Sequence, residues 1–131
     1  MQGNMHEFLQ QPNWAVIGVS SDPEKYGTKV YFQLKKAGYH VYAINPKLEQ
    51  IDGEPCYPNL SSLPLIPDAI SVVVPPKVTE QIMDECTKLG VHRIWMQPGS
   101  ESDAAIAKGN QQGLELVYNQ CVLIETRDKI K

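Results

Sequence analysis

Four short segments of the chain carry side chains and turns that could hold a ligand. They are Gly18-Val19-Ser20-Ser21, Asn45-Pro46-Lys47, Val74-Pro75-Pro76 and Gln97-Pro98-Gly99. Small residues, hydroxyls and open backbone N–H groups suit an anion, and a lysine suits a phosphate. Each segment also follows an apolar run, where turn residues are expected in any sheet, so none is specific alone. Together they predict a site for a phosphorylated small molecule.

The first loop, from Gly18 to Gly27, precedes a predicted helix. Open amides and the helix dipole make such a place attractive to phosphate. The spacing Gly18-x-Ser20-x6-Gly27 differs from the Gly-x-Gly-x-x-Gly dinucleotide pattern, and Asp22 stands where a Gly-x-Ser-x-Gly hydrolase elbow has its second glycine. We therefore interpret Ser20 and Ser21 as hydroxyl donors to a phosphate and not as activated nucleophiles.

The end of the second predicted strand discriminates best between nucleotide ligands. Proteins that bind NAD on this type of fold usually place Asp or Glu there, whereas this chain has Asn45-Pro46-Lys47. A cation fits a phosphorylated ribose, so Lys47 points to NADP or coenzyme A (CoA), with an ordinary surface lysine as the alternative. The 131 residues amount to about one domain. A nicotinamide dehydrogenase normally needs a further substrate-binding region, so length favours CoA.

The elements that must position these segments alternate along the chain. Apolar runs predict strands at 14–19, 39–44, 69–74, 92–96 and 114–118, and amphipathic stretches predict helices at 27–37, 79–89 and 101–112. Four prolines between 47 and 67 exclude a long helix there, leaving a short strand or turn near 54–57 and one helical turn near 61–63. The fold class is therefore α/β, with about five mainly parallel strands and helices on both faces in three layers. The carboxyl ends of parallel strands share one edge, where the four segments should converge.

Composition excludes several classes of protein. Lys and Arg total 12 and Asp and Glu total 15, giving a formal charge of −3, whereas a general nucleic-acid binder is usually basic. No apolar run approaches the roughly 18 residues of a membrane span. The three cysteines are widely spaced without a Cys-x-x-Cys pair, which is typical of a reduced protein. We expect a cytoplasmic single domain over residues 1–131, with a core at about 13–125 and a loose charged tail at 127–131.

Five segments in order resemble a known family. They are Ala15-Val16-Ile17-Gly18-Val19-Ser20, Tyr42-Ala43-Ile44-Asn45-Pro46-Lys47, Val73-Val74-Pro75-Pro76, Ile94-Trp95-Met96-Gln97-Pro98-Gly99 and Asn119-Gln120-Cys121-Val122. Over about residues 13–125 the chain resembles the small stand-alone CoA-binding proteins related to the N-terminal domain of the succinyl-CoA synthetase α subunit. The resemblance implies a Rossmann-like domain that binds the nucleotide end of CoA or acyl-CoA. It places Ser20 and neighbouring amides at phosphate, Pro46 and Lys47 at the phosphorylated ribose, and Val74 and Pro75 against adenine.

No catalytic arrangement is evident in the sequence. The phosphorylated histidine of the synthetase belongs to a second domain, and His6, His40 and His92 are interpreted here as structural or exposed. No metal-ligand spacing or Ser/His/Asp arrangement is present. We therefore expect a non-catalytic or accessory CoA-binding protein, whose protein partner, if it has one, the sequence does not identify. Two alternatives stay open: an enzyme, either an NADP-dependent reductase or an acyl-CoA-handling activity completed by a partner chain, and a regulatory module that senses acyl-CoA.

The cysteines offer one reactive possibility. Cys121 follows the fifth predicted strand and could approach the thiol of CoA, forming a mixed disulfide under oxidation. A small buried apolar residue is the favoured interpretation for Cys121 and for Cys86. Cys56 lies in the proline-rich loop and is expected to be more exposed.

Overall fold

A mainly parallel sheet organises residues 3–129, which the computed structural model describes. Its strands are β1 (Asn13–Ile17), β2 (His40–Ile44), β3 (Gln50–Ile51), β4 (Glu54–Tyr57), β5 (Ala69–Val72), β6 (Arg93–Met96) and β7 (Glu115–Val117). The helices are α1 (Met5–Leu9), α2 (Tyr26–Lys36), α3 (Pro76–Leu89), α4 (Asp103–Gln111) and α5 (Val122–Thr126). Two short 3-10 helices occupy Leu60–Ser62 and Arg127–Lys129.

The strands lie in the order β3-β4-β2-β1-β5-β6-β7, and every neighbouring pair is parallel except β3 with β4. This arrangement confirms the predicted Rossmann-like α/β fold. The sheet has seven strands rather than about five, because a short hairpin forms inside the proline-rich segment. Asp52 and Gly53 make its turn with φ of 50° and 80°, a conformation that glycine adopts at no steric cost. The predicted short strand near 54–57 is β4.

Apolar side chains of the strands fill both faces of the sheet. Successive residues of β1 alternate between the two buried clusters, with Trp14 and Val16 on one face and Ala15 and Ile17 on the other. Residues of α1, α2 and α5 pack into the first cluster, and residues of α3 and α4 pack into the second. The result is three layers, and burial on both faces explains why the strands are continuous apolar runs in the sequence.

The helices α3 and α4 begin at residues other than those that the apolar pattern predicts, because local interactions determine where each helix starts. α3 begins at Pro76 rather than at 79, because the fixed φ of proline suits the first position of a helix. It ends as predicted before Gly90, whose φ is 80°. α4 begins after Ser102, whose hydroxyl accepts a hydrogen bond from the Ala105 N–H at 3.0 Å.

The two ends of the chain contain structure that the sequence did not predict. α1 and α5 have five residues each, too few to show a helical period. Residues 127–129 of the expected loose tail form a 3-10 helix, and residues 130–131 lie outside the described residues. Within residues 3–129, no helix has both the length and the apolar character that crossing a bilayer requires.

Candidate functional site

The strand order reverses at β1, which lies between β2 and β5. In open α/β sheets, ligands bind beyond the carboxyl ends of the strands at such a reversal. The loops that begin there, at residues 18, 45, 73 and 97, form what we call the carboxyl edge. Its loops are tied together by hydrogen bonds from the Asn45 side chain to the Val19 carbonyl and from the Val74 N–H to the Ser100 hydroxyl. The structure thus brings all four predicted segments to one edge.

Two glycines bring the first loop and the start of α2 into backbone contact. A Cβ added to Gly27 would lie 2.1 Å from the Gly18 carbonyl oxygen, which no side chain tolerates. Gly18 itself has a φ of 110°, and a Cβ there would lie 2.2 Å from the Val73 carbonyl oxygen. The spacing differs from a standard dinucleotide fingerprint, yet the two glycines provide the same close approach of helix to strand.

Thr28 fixes the path of the first loop. Its hydroxyl accepts from the Ser20 N–H at 3.0 Å and donates to the Ser20 carbonyl at 2.8 Å, and the residue is only 2% exposed. The Ser20 hydroxyl oxygen accepts from the Asp22 N–H at 3.1 Å, which leaves its own hydrogen available for a ligand. The Ser20 amide and the Ser20 hydroxyl oxygen are therefore used internally, whereas the hydroxyl hydrogen is not. Sequence reasoning missed Thr28; a hydroxyl in the first turn after a glycine is the signal that could have found it.

The start of α2 is open to an acceptor. Lys25 precedes the helix without making a side-chain cap, so N–H groups of the first turn have no partner from a capping side chain. Side-chain charges nearby sum to zero, because Asp22 and Glu24 are matched by Lys25 and Lys29, and Lys29 lies 3.8 Å from Glu24. Backbone amides and the helix dipole are thus the main attraction for an anion at this loop.

Asn45 positions the loop that carries Lys47. Its amide donates to the Val19 carbonyl at 2.6 Å, and its carbonyl oxygen accepts from the Lys47 N–H at 2.8 Å. Pro46 and Lys47 are exposed. Among residues 3–129, the ion pairs at the surface do not include Lys47. Its ammonium group is therefore free to meet an incoming anion.

The loop after β5 offers an apolar wall. Val74 is half-buried and Pro75 is exposed, immediately before Pro76 opens α3. The Ser100 hydroxyl accepts from the Val74 N–H at 3.0 Å and holds this backbone in place. The pyrrolidine and isopropyl groups can pack against a planar ring.

Gln97, after β6, is buried and makes structural hydrogen bonds. It is 2% exposed, its carbonyl oxygen accepts from the Val122 N–H at 2.7 Å, and its amide donates to the Cys121 sulfur at 3.5 Å. Pro98 and Gly99 are exposed, and the Gly99 N–H donates to the Glu101 carboxylate at 2.9 Å. Gln97 thus holds the start of α5, a role that depends on tertiary contacts invisible in the sequence.

A cavity of about 290 Å³ opens on the carboxyl edge beside the first loop. Its lining comprises Tyr26, Val73, Gln97, Pro98, Cys121 and Ile124. Tyr26 is the first residue of α2 and Val73 directly precedes Val74. Two of the lining residues therefore adjoin the first loop and Val74 along the chain, and the sequence alone did not indicate this cavity.

The cysteines differ in their surroundings. The prediction that Cys56 is more exposed was wrong, because its side chain is buried with an exposed fraction of 7%. Its strand pairs with β2 and turns the thiol towards the core. Burial raises the pKa of the Cys56 thiol, and it raises the pKa of Cys86 to about 12, so both thiols stay protonated. Cys86 is fully buried, as predicted, whereas Cys121 is half-buried and lines the cavity.

The histidines lie away from the cavity lining. All three histidines are exposed: His6, His40 and His92. His40 is the first residue of β2 and therefore lies at the amino edge of the sheet, opposite the carboxyl edge. The described residues contain no group of His, Cys, Asp and Glu side chains that could hold a metal ion.

A family model described as a CoA binding domain matches residues 12–127. The alpha subunit of an ADP-forming acetate–CoA ligase II from Pyrococcus furiosus is 38% identical over 85 residues, which are 64% of this chain and 19% of that protein. An ADP-forming acetate–CoA ligase I from Archaeoglobus fulgidus is 38% identical over 77 residues, covering 59% of this chain and 11% of that protein. The chain thus spans less than a fifth of these relatives.

Solved structures include relatives of the same size. A conserved hypothetical protein from Pyrococcus furiosus is 35% identical, covers 87% of this chain and 98% of its own, and superposes with a TM-score of 0.83. These matches confirm the predicted resemblance to small CoA-binding domains, with acetate–CoA ligases among the larger relatives.

Proposed function

The chain belongs to the CoA-binding domain family, and on that premise we propose that its carboxyl edge binds CoA or an acyl-CoA by the nucleotide end. The observation that carries this proposal is the pairing of an uncapped α2 start with a free lysine on the neighbouring loop. CoA carries a diphosphate and a separate ribose phosphate. Two anion sites on adjacent loops match that ligand.

The diphosphate lies at the first loop in this proposal. The N–H groups of the first turn of α2 and the Ser20 hydroxyl donate to its oxygens, while Gly18 and Gly27 keep the backbone free of side chains there. Charge-assisted hydrogen bonds of this kind are about twice as strong as neutral ones. The small net charge of −3 does not oppose the ligand, because the local donors decide the potential it meets.

Lys47 binds the phosphate on the ribose, and Pro46 lies beside it. Asn45 holds their loop against the first loop, so that the two anion sites keep a fixed spacing. Val74 and Pro75 supply the wall for adenine. Ser21, Pro76, Pro98 and Gly99 complete the proposed surface as backbone and turn positions.

The test compares CoA with dephospho-CoA, which lacks the ribose 3′-phosphate, by calorimetric titration. Wild-type protein should bind CoA about tenfold more tightly, since one charge-assisted contact contributes roughly 1.5 kcal/mol. Lys47→Ala should remove most of that difference. Lys36→Ala is the matched control, because Lys36 is an exposed lysine in the last turn of α2, at the opposite edge.

Three results would contradict the proposal. Absence of CoA binding at millimolar concentration would reject it outright. Equal affinities for CoA and dephospho-CoA in wild-type protein would reject the role of Lys47. Tighter binding of NADPH than of CoA would favour the reductase interpretation instead.

A second candidate function is favoured by the length of the relatives. The chain matches 11% and 19% of two acetate–CoA ligases, so an acyl-CoA enzyme completed by a partner chain is a specific alternative to an accessory binding protein. Assay of purified protein for CoA-dependent ligase activity, alone and with a candidate partner, separates the two.

A further inference from the structure

We infer that the cavity beside the first loop takes the acyl end of a CoA thioester and selects short, uncharged acyl groups. The inference rests on the proposed function, since it assigns another part of the same ligand. It starts from the cavity of about 290 Å³ whose lining combines apolar side chains with one buried carboxamide.

No Lys, Arg, Asp or Glu lines this cavity. Four other cavities in the described part of the chain each have charged residues in their walls: Lys29 and Lys36; Lys35 and Glu54; Asp128 and Lys129; and Asp84, Glu85 and Lys88. A carboxylated acyl group such as succinyl would lose hydration here without gaining a cation. An uncharged chain would bury its methylenes against Tyr26, Val73 and Ile124.

Gln97 supplies the polar contact. Its carbonyl oxygen is committed to the Val122 N–H at 2.7 Å, which fixes the orientation of the carboxamide and directs its nitrogen to Cys121. That nitrogen has two hydrogens, and the sulfur it contacts at 3.5 Å is a weak acceptor. A thioester carbonyl is the acceptor that the remaining N–H can take in an otherwise apolar space.

Size limits the acyl chain. A cavity of roughly 150 Å³ is enough to hold benzene, so about 290 Å³ holds a short acyl chain with its thioester, whereas the end of a long fatty chain would extend beyond it into solvent. Tyr26 and Val73 connect the cavity to the first loop and to Val74. In this inference the pantetheine arm runs from the first loop along the carboxyl edge and places its thioester in the cavity.

The experiment measures dissociation constants for CoA, butyryl-CoA and succinyl-CoA by calorimetry. We expect butyryl-CoA to bind about tenfold more tightly than CoA, from burial of its methylenes, and succinyl-CoA to bind no more tightly than CoA. Equal binding of butyryl-CoA and CoA overturns the inference but leaves the proposed function intact. Loss of all CoA binding instead overturns the proposed function itself.

A charge placed on the cavity wall gives the second readout. Ile124→Lys should raise the ratio of succinyl-CoA to butyryl-CoA affinity by about tenfold, because the ammonium group can pair with the distal carboxylate. Ile66→Lys is the matched control: Ile66 is 57% exposed and Ile124 54%, so both substitutions add the same charge at a similar exposure, but Ile66 does not line the cavity. An unchanged ratio in Ile124→Lys, or an equal rise in Ile66→Lys, overturns the inference.

Discussion

Two asparagines, one at each edge of the sheet, use the same carboxamide group in different ways. At the carboxyl edge, Asn45 bonds to the backbone of Val19 and of Lys47. At the amino edge, Asn13 bonds to side chains: its amide donates to the Asp68 carboxylate at 3.1 Å, and its oxygen lies 3.2 Å from His40 Nδ1. Bonds to backbone fix a loop and leave the surrounding side chains free for a ligand. Bonds between side chains use up the groups that a ligand would need.

The glycines differ between the edges in a similar way. Gly27 faces the Gly18 carbonyl so closely that no Cβ fits, whereas Gly90, after α3 at the amino edge, has no atom within 4 Å of such a Cβ. Gly27 is thus required by packing and Gly90 by its positive φ alone. The carboxyl edge combines tight backbone contacts beneath with free polar groups outside, which is the arrangement a preformed site needs.

The largest expected effect comes from filling the tight contact. Gly27→Ala should lower the free energy of unfolding by about 3 kcal/mol, because the new methyl meets backbone that cannot rotate away. Gly90→Ala should cost only about 1 kcal/mol, the penalty of a left-handed alanine. Urea denaturation measures both. The comparison fails if Gly27→Ala is no less stable than Gly90→Ala.

A smaller effect separates the two asparagines. Asn45→Ala and Asn13→Ala should each cost about 1 kcal/mol of stability through lost hydrogen bonds. Only Asn45→Ala should also weaken CoA binding, by roughly fivefold, because the loop carrying Lys47 is no longer held against Val19. Calorimetric titration of both variants decides the matter. An equal loss of CoA affinity in Asn13→Ala would show that the edges do not differ in this way.

The sheet was predictable because its strands are buried on both faces. Runs such as Trp14-Ala15-Val16-Ile17 are apolar throughout, and parallel topology then brings their carboxyl ends to one edge. The elements that escaped prediction, α1, α5 and β3, have two to five residues and no room for a periodic pattern. Their stability comes from tertiary contacts that a local pattern does not report.

The sequence predicted where the site residues lie better than it predicted what each of them does. The convergence of Gly18, Asn45, Val74 and Gln97 follows from topology, but the use of the Ser20 amide by Thr28 depends on a contact eight residues away. For Cys56, the predicted exposure of the side chain was wrong. Its proline-rich neighbours indicated an exposed loop, but pairing of β4 with β2 buries the thiol.

The smallest expected effect is a pH dependence of the free energy of unfolding. It arises from contacts between the helices α3 and α4, away from the carboxyl-edge loops. Hydrogen bonds from Lys108 at 2.6 Å and Gln112 at 2.8 Å lower the pKa of Asp84 below its ordinary value of 3.8. A carboxyl group with a lowered pKa in the folded protein stabilises the fold above its ordinary pKa, and this contribution disappears as the pH falls through the lowered value.

Asp84→Asn should therefore be slightly less stable than wild type at pH 7, with the difference vanishing in acid, while CoA affinity at pH 7 stays the same. Urea denaturation across pH 2 to 7, together with one titration, measures both. Glu80→Gln on the same helix is the control, because the ion pairs of residues 3–129 do not include Glu80. Reduced CoA affinity in Asp84→Asn would mean that contacts between the helices also shape the carboxyl edge, so that its loops are not the sole support of the site.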